Sequence, residues 1–179
     1  MAYWNTRGLR GSAFEELIDL TNSLYQQKGI ALVQKVPTPI TPTAVDNKQR
    51  TITAAYFGKK STVDYIGVAQ GLAICFDAKE TQQLSLPLKN IHQHQIEFML
   101  EFEKQRGIAF FLVHFHTKSE VFCLPAQEAA RHHANALSGG RKSIPYSSFN
   151  PEFIVQNIQG FPVHYLVAIN KILATQNMS

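Results

Sequence analysis

The sequence has few of the residues from which disulfide frameworks and structural metal sites are built. It contains two cysteines, Cys75 and Cys123, and both lie in apolar, strand-like runs where cysteine usually behaves as a small core residue. None of the seven histidines falls into a spacing typical of a metal site, and the pairs His92/His94 and His132/His133 are expected on the surface or in packing contacts. The sequence therefore predicts neither a disulfide scaffold nor a zinc module.

Long apolar runs are also missing. Apolar residues make up 45% of the chain, but no run is long enough to cross a bilayer, and the first residues lack the apolar core of a signal peptide. We therefore expect a soluble, cytoplasmic protein with no membrane partner. Its 179 residues contain no internal repeat, which favours one domain, and the net charge of +4 is compatible with a polyanionic partner.

The chemistry of the sequence is concentrated in residues 61–80 (STVDYIGVAQGLAICFDAKE). Residues 63–68 and 72–78 are rich in Ile, Val, Tyr and Phe, and Gly67 and Gly71 bound the connection between them. Apolar β-formers around a glycine-containing turn are typical of two paired strands. The stretch therefore predicts a β-hairpin.

Three charged side chains are set into this hairpin. Because successive side chains on a strand point to opposite faces, Asp77 and Lys79 share one face, and Asp64 lies across from them if the hairpin pairs as expected. Two converging carboxylates favour Mg²⁺, and a neighbouring lysine can stabilise charge on a phosphoryl group. The spacing matches the Asp…(Asp/Glu)-x-Lys pattern of metal-dependent nucleases. An exposed strand edge with solvated charges is the alternative interpretation of this motif alone.

The first thirty residues predict a basic lead-in followed by a helix. Arg7 and Arg10 stand beside glycines, either in a disordered terminus or in an arm that contacts phosphates. Ser12 and Glu15 form a capping box that opens a helix of about four turns ending at Gly29. Glu15 is explained either as a cap or as an extra acidic group near the metal site. The buried stripe of the helix is predicted to contain Phe14, Leu17, Ile18, Thr21, Leu24 and Tyr25.

A projecting arm is predicted after a first strand at residues 30–36. Closely spaced prolines at its start deny ladder hydrogen bonds and fix an extended backbone. Residues 38–57 then form a hairpin or long arm with a turn near Asp46 and with Lys48 and Arg50 at its tip. A segment of this length without its own buried face is usually functional or disordered.

The second half predicts alternating helices and strands. A helix over residues 90–105 places Gln95 in its inward stripe, either as a hydrogen-bonded core amide or as a neutral oxygen ligand. Arg141 and Lys142 lie in a glycine-containing loop, where they either contact a ligand backbone or are solvated. The remaining predicted elements are strands over 108–115 and 120–124, and helices over 125–137 and 162–174. The fold class is therefore α/β with a mixed β-sheet.

A series of short stretches in this order gives the chain a family resemblance. They are Arg10-Gly11 with Glu15, Lys35-Val-Pro-Thr-Pro-Ile40, Ala55-Tyr-Phe57, Ser61-Thr-Val-Asp-Tyr65, Phe76-Asp-Ala-Lys-Glu-Thr81, Pro87-Leu88, His92-Gln-His-Gln95 and Arg141-Lys-Ser143. With these stretches the chain resembles the RecU family of Holliday junction resolvases, from about Asn5 to the last helix.

The resemblance implies a fold, a cofactor and roles for individual residues. It implies a single nuclease domain over residues 1–179 with a restriction-endonuclease-like mixed β-sheet flanked by helices, a homodimer, and Mg²⁺ dependence in which Mn²⁺ can substitute. Residues 38–57 match a stalk that enters the centre of a four-way junction. Lys79 matches the transition-state stabiliser, and Glu15 matches an acidic residue near the active site. The positions that match metal ligands are Thr62, Asp64, Asp77 and Gln95. Asp77 stands where family members often have Glu, which shortens the side chain by one methylene.

The sequence therefore predicts a structure-selective, Mg²⁺-dependent endonuclease that resolves four-way DNA junctions by symmetric nicking in homologous recombination and DNA repair, leaving 5′-phosphates. Other recombination proteins are further expected partners. Phosphate contacts are predicted from Arg7, Arg10, Lys48, Arg50, Lys59, Lys60, Arg141 and Lys142. A non-catalytic junction-binding modulator and a duplex-cutting nuclease of the same fold are the alternatives.

Overall fold

A six-stranded mixed sheet with helices on both faces organises the chain. The computed structural model describes residues 12–58, 62–158 and 160–176. The helices are α1 (Ala13–Gln27), α2 (Gln93–Lys104), α3 (Ala126–Leu137) and α4 (Tyr165–Gln176). The strands are β1 (Ala31–Lys35), β2 (Ile40–Asp46), β3 (Thr51–Phe57), β4 (Tyr65–Ala69), β5 (Leu72–Thr81), β6 (Ser85–Pro87), β7 (Ile108–Phe115), β8 (Glu120–Pro125), β9 (Ser143–Pro145) and β10 (Ile154–Val155).

The sheet runs in the order β1-β4-β5-β7-β8-β10. Strands β5 and β7 are parallel and are joined through α2, whereas the other neighbours are antiparallel. Every residue of β7 except His114 is buried, as expected of a strand covered by helices on both faces. The predicted α/β class, the mixed sheet and its flanking helices are confirmed.

Successive side chains of β5 point to opposite faces of the sheet and pack into two separate hydrophobic cores. Ile74 and Phe76 pack with α1 and α4 on one face, and Cys75 packs with α2 and α3 on the other. Asp77 and Lys79 continue the α2 side of the strand, so the strand period places them in the layer next to that helix. Cys75 and Cys123 are both buried free thiols, which confirms that they are core residues.

Helix α1 begins and ends where the sequence predicts. Ser12 Oγ accepts a hydrogen bond of 3.1 Å from the backbone N–H of Glu15, and Gly29 takes the left-handed φ of +65° that favours glycine. The predicted burial of Leu17 is wrong, because this residue lies at the margin of the stripe centred on Ile18 and is 44% exposed. Asn22 is buried instead, and accepts a hydrogen bond of 2.6 Å from the hydroxyl of Tyr165 in α4.

Two helices start later than the sequence predicts. Helix α4 begins at Tyr165, because the backbone N–H of Val163 donates to Thr21 Oγ1 and that of His164 donates to the carbonyl of Gln156. These bonds hold the chain in a turn where the sequence analysis predicts helix. Helix α2 begins at Gln93, after a 3-10 turn over Leu88–Asn90.

Strands β2 and β3 form a two-stranded ribbon separate from the six-stranded sheet. Its turn lies where predicted: Asp46 Oδ1 accepts hydrogen bonds from the backbone N–H groups of Lys48 and Gln49, and Arg50 has a left-handed φ of 51°. The interpretation of residues 38–57 as a stalk inserted in a single nuclease domain stays a prediction. Among the described residues, no helix combines the length and apolarity needed to cross a membrane.

Candidate active site

Asp77 on β5 is a fully buried carboxylate with two partners. Its Oδ1 accepts a hydrogen bond of 2.7 Å from Gln95 Nε2 on α2, and its Oδ2 forms an ion pair with Lys79 Nζ. The side chain of Asp77 is 0% exposed and that of Lys79 is 13% exposed. Because a buried charge is tolerated only when it is paired and hydrogen-bonded, both partners are needed to hold this carboxylate in place.

Asp64 lies directly before β4, where the antiparallel ladder with β5 ends. The last ladder pair is Tyr65 with Phe76, so one further step places Asp64 opposite Asp77. Its Oδ2 accepts a hydrogen bond of 3.1 Å from the backbone N–H of Ala78, between the two charged residues of β5. The structure thus brings Asp64, Asp77 and Lys79 together as the sequence analysis expects, while their chemical roles stay predictions.

Burial dominates the electrostatics of this site. It raises the pKa of Asp77 to about 7, since loss of water penalises the charged form. Lys79 opposes this shift, and the carboxylate of Asp64 adds to it. Two carboxylates with an all-oxygen donor set fit a hard divalent cation such as Mg²⁺, which would keep both groups ionised. The donors present therefore fit the predicted metal.

Gln95 connects Asp77 to the start of α2. It is buried, and its Oε1 accepts a hydrogen bond of 3.2 Å from the backbone N–H of His92 while its Nε2 donates to Asp77. The His92 N–H fixes which way the amide points, since an amide nitrogen at that place would face another donor. Ligation of a metal by Oε1 requires this amide to rotate, and that ligand role stays a prediction. Thr62, the remaining predicted ligand, is exposed two residues before Asp64.

Glu15 belongs to a charged group on α1 and β1. Lys35 Nζ lies 2.7 Å from Glu15 Oε2 and 3.6 Å from Asp19 Oδ2. Tyr65, which directly follows Asp64, donates a hydrogen bond of 2.8 Å to Asp19 Oδ1. Burial, Asp19 and more distant carboxylates that include Glu15 and Asp64 hold the pKa of Tyr65 well above its usual value. Lys35, Asp19 and Tyr65 have no predicted role from the sequence, although the position of Tyr65 beside Asp64 was a usable signal.

The predicted phosphate-binding residues that the structure describes are exposed in two places. Lys48 and Arg50 lie at the turn of the ribbon, and Arg141 and Lys142 lie in the loop after α3. Lys142 also lines a cavity of about 520 Å³ together with His92 at the start of α2. This cavity therefore connects the basic loop to the helix that carries Gln95. Arg7, Arg10, Lys59 and Lys60 lie outside the described residues.

A second polar group was not predicted from the sequence. Glu80 on β5 pairs in register with His114 on β7, and His116 lies two residues further along the same face. One ligand atom from each of the three side chains lies within 4.8 Å of the other two. This geometry qualifies the expectation that no histidines have a metal spacing, because His114 and His116, which directly follows β7, lie on one face and β5 supplies a third side chain with a ligating atom.

A mixed α/β sheet that presents two aspartates from adjoining β-segments beside a lysine is the framework of a metal-dependent nuclease. The family model described as "Recombination protein U" matches residues 9–171. Holliday junction resolvase RecU of Levilactobacillus brevis is 40% identical over 172 residues, which cover 93% of this chain and 86% of the relative. The chain belongs to the RecU family.

Other relatives match over a similar span. Holliday junction resolvase RecU of Lactococcus lactis is 42% identical over 174 residues, covering 94% of this chain and 81% of the relative. That of Streptococcus mutans is 41% identical over 167 residues, covering 90% and 84%. Among solved structures, the Holliday junction resolvase Hjc of Archaeoglobus fulgidus aligns with a TM-score of 0.47 at 14% identity, covering 88% of this chain and 99% of Hjc.

Proposed function

We propose that this chain is a metal-dependent endonuclease that resolves Holliday junctions in homologous recombination and DNA repair. The observation that carries the proposal is the buried carboxylate of Asp77, held between Lys79 and Gln95 and faced by Asp64. The names of the RecU relatives support a four-way junction as the substrate. A surface that only binds DNA gains nothing from one buried and one half-buried carboxylate, because both repel a polyanion.

In this proposal Asp64 and Asp77, with Thr62 and Gln95, hold Mg²⁺, and Mn²⁺ can substitute. When bound, such an ion lowers the pKa of water and binds a phosphate oxygen. Lys79 lies on the same strand face as Asp77, where its ammonium group stabilises the additional negative charge that develops on the phosphorus oxygens. A water-derived oxygen forms the new bond to phosphorus as the bond to the 3′ oxygen breaks, so one end of the cut strand carries a 5′-phosphate and the other, after protonation, a 3′-hydroxyl.

Gln95 acts in this proposal as a positioning residue in the conformation observed, and it becomes a ligand only after its amide rotates and releases its hydrogen bonds to His92 and Asp77. Its Nε2 donates to Asp77 Oδ1, which leaves the other carboxylate oxygen directed at Lys79. The hydrogen bond from His92 to Gln95 ties this orientation to the first turn of α2. Glu15 lies on the α1 side, where Lys35 neutralises it, and it supplies further negative charge near the site only if that ion pair opens.

Binding of the junction is assigned to the ribbon of β2 and β3 and to the exposed basic residues. The turn with Lys48 and Arg50 enters the centre of the junction, and Arg141 and Lys142 contact backbone phosphates beside α2. A homodimer places two sites on a two-fold axis that matches the symmetry of the junction, so two opposing strands are nicked symmetrically. Such a protein acts in the cytoplasm, together with other recombination proteins.

The test is a cleavage and binding assay on a labelled four-way junction, with linear duplex as the comparison substrate. Lys79→Ala should bind the junction with unchanged affinity and lower the cleavage rate by about 10²-fold or more, because it removes transition-state stabilisation without a large loss of phosphate contacts. Lys104→Ala is the matched control, since Lys104 is an exposed lysine on α2 that pairs with Glu101. Cleavage in both should require Mg²⁺.

The two alternatives give different results in the same assay. If the wild-type protein binds the junction tightly in Mg²⁺ but leaves it uncut, it is a non-catalytic modulator. If it cuts linear duplex as fast as the junction, it is a duplex nuclease and the junction-specific role of the ribbon is refuted.

A further inference from the structure

The face of the sheet that points away from Asp77 carries three clustered side chains of the types that ligate metals, Glu80, His114 and His116. Glu80 Oε2 lies 2.6 Å from His116 Nε2 and 4.0 Å from His114 Nδ1. Glu80 and the two histidines are each between about one fifth and one third exposed, at 26%, 21% and 33% in the order Glu80, His114, His116. The group is therefore neither fully solvated nor sealed in the core, and an ion can reach it.

The strand geometry builds this group without distortion. In the parallel pair of β5 and β7, Glu80 lies beside His114, and His116 follows two residues later on the same face. The rings of His114 and His116 are 4.2 Å apart between centroids, and Phe14 of α1 packs against His114 at 5.1 Å. The three donors are thus held by two central strands and one helix.

One nitrogen of this group, which can act as a metal ligand, has no hydrogen-bond partner among the described residues. Nδ1 of His114 is buried and has no hydrogen bond among the described residues. Burial and the neighbouring His116 hold the pKa of His114 below its usual value, and Glu80 opposes this shift. A buried polar atom normally has a partner, and a metal ion is one that fits this position.

We propose that Glu80, His114 and His116 form a second metal site, which binds a transition-metal ion such as Zn²⁺ and joins the carboxyl ends of β5 and β7. Two imidazole nitrogens and one carboxylate are a known three-ligand set for Zn²⁺, with a fourth position left for water. Donors around one such ion stand about 3 to 3.5 Å apart, given metal–ligand bonds of about 2 Å. The distances of 2.6 and 4.0 Å bracket that value, so small side-chain rotations complete the site.

This second site differs from the acidic site in the metal that it selects. Its two nitrogen donors favour Zn²⁺, Cu²⁺ or Ni²⁺, whereas the oxygen donors of Asp64 and Asp77 favour Mg²⁺. The two sites lie on opposite faces of β5, three residues apart in sequence. Binding of a metal ion at the second site does not require nuclease activity.

The test is a calorimetric titration of Zn²⁺ in a millimolar excess of Mg²⁺, which occupies the oxygen-donor site. The wild-type protein should bind one equivalent of Zn²⁺ per chain. His116→Ala and Glu80→Gln should each weaken that binding by about tenfold or more, because each removes one of three ligands. His132→Ala is the matched control, since it removes a half-buried histidine on α3 and should leave the titration unchanged.

Circular dichroism shows whether each variant is folded, and thermal unfolding gives a second measure of Zn²⁺ binding. Zn²⁺ should raise the unfolding temperature of the wild-type protein and of His132→Ala, and should raise that of His116→Ala by less. If His116→Ala folds poorly, His116→Asn provides a more conservative substitution, because asparagine is polar and closer to histidine in size. The proposal is overturned if the wild type takes up no Zn²⁺ in excess Mg²⁺, or if folded His116 variants bind it as tightly as the wild type.

Discussion

Replacement of Asp77 by asparagine should stabilise the protein at alkaline pH while it abolishes cleavage. The carboxylate of Asp77 is fully buried, and its pKa is raised from 3.8 to about 7. The folded protein therefore holds a proton on Asp77 at pH values where the unfolded chain has released it. Because the folded state then binds more protons, the free energy of unfolding contributed by this group is present at low pH and is lost as the pH rises through about 7.

The size of the effect follows from the same linkage. Each pH unit between the two pKa values changes the free energy of unfolding by about 1.4 kcal/mol. Between about pH 4 and pH 8 the wild-type protein should therefore lose about 4 kcal/mol from this single group. Asparagine keeps an oxygen that accepts from Gln95 and, like the protonated acid, carries no charge, so we expect the variant to match the wild type at pH 4 and to exceed it by about 2 to 4 kcal/mol at pH 8.

Urea unfolding followed by circular dichroism across this pH range measures the difference. Glu101→Gln is the control, because Glu101 is 68% exposed on α2 and its replacement should leave the pH dependence unchanged. Addition of Mg²⁺ at pH 8 should stabilise the wild type and have little effect on Asp77→Asn. Parallel stability curves for the wild type and Asp77→Asn between pH 4 and pH 8, or a less stable variant at pH 8, would refute this account of the buried carboxylate.

Three further predictions concern residues around the site and the ribbon. Gln95→Leu removes the donor to Asp77 and the acceptor for the His92 N–H at the start of α2, so it should lower the free energy of unfolding by about 1 to 3 kcal/mol in urea titrations. Because the charged form of Asp77 loses a hydrogen bond, the rising limb of the cleavage pH profile should also move to higher pH. A variant with Lys48→Ala and Arg50→Ala should bind the junction more weakly and reduce the slope of log affinity against log salt by about 2, whereas Lys104→Ala should leave the slope unchanged. Glu15→Gln breaks a partly exposed ion pair, so it should change the free energy of unfolding by less than about 1 kcal/mol. A large loss of cleavage by this folded variant would support a catalytic role for Glu15, and unchanged cleavage would contradict it.

The central hairpin and its charged residues could be predicted because they depend on local rules. The period of two along β5 puts Asp77 and Lys79 on one face, and the glycine-containing turn sets the register that brings Asp64 opposite. The burial of Gln95 followed from its place in the apolar stripe of α2. These features need only the pattern of one segment.

Features that depend on contacts between distant segments were not predictable in this way. The late start of α4 depends on a hydrogen bond between Val163 and Thr21 of α1, and the local sequence carries no sign of it. The group of Glu80, His114 and His116 arises because β5 and β7 are parallel neighbours, whereas a search along the chain sees only an isolated His-x-His. The ion pair of Glu15 with Lys35 likewise needs the docking of α1 on β1.

The hydrogen bond between the N–H of Val36 and the carbonyl of Asp64, 2.7 Å long, has a mechanical consequence. It joins Val36, where the chain leaves the six-stranded sheet after β1, to Asp64, where the chain returns to the sheet before β4. A second bond, from Gly58 to Pro39, closes the root of the ribbon itself. If the ribbon contacts DNA as proposed, a displacement of its root would act on the backbone of Asp64, so substrate binding and the geometry of the candidate active site would be mechanically linked.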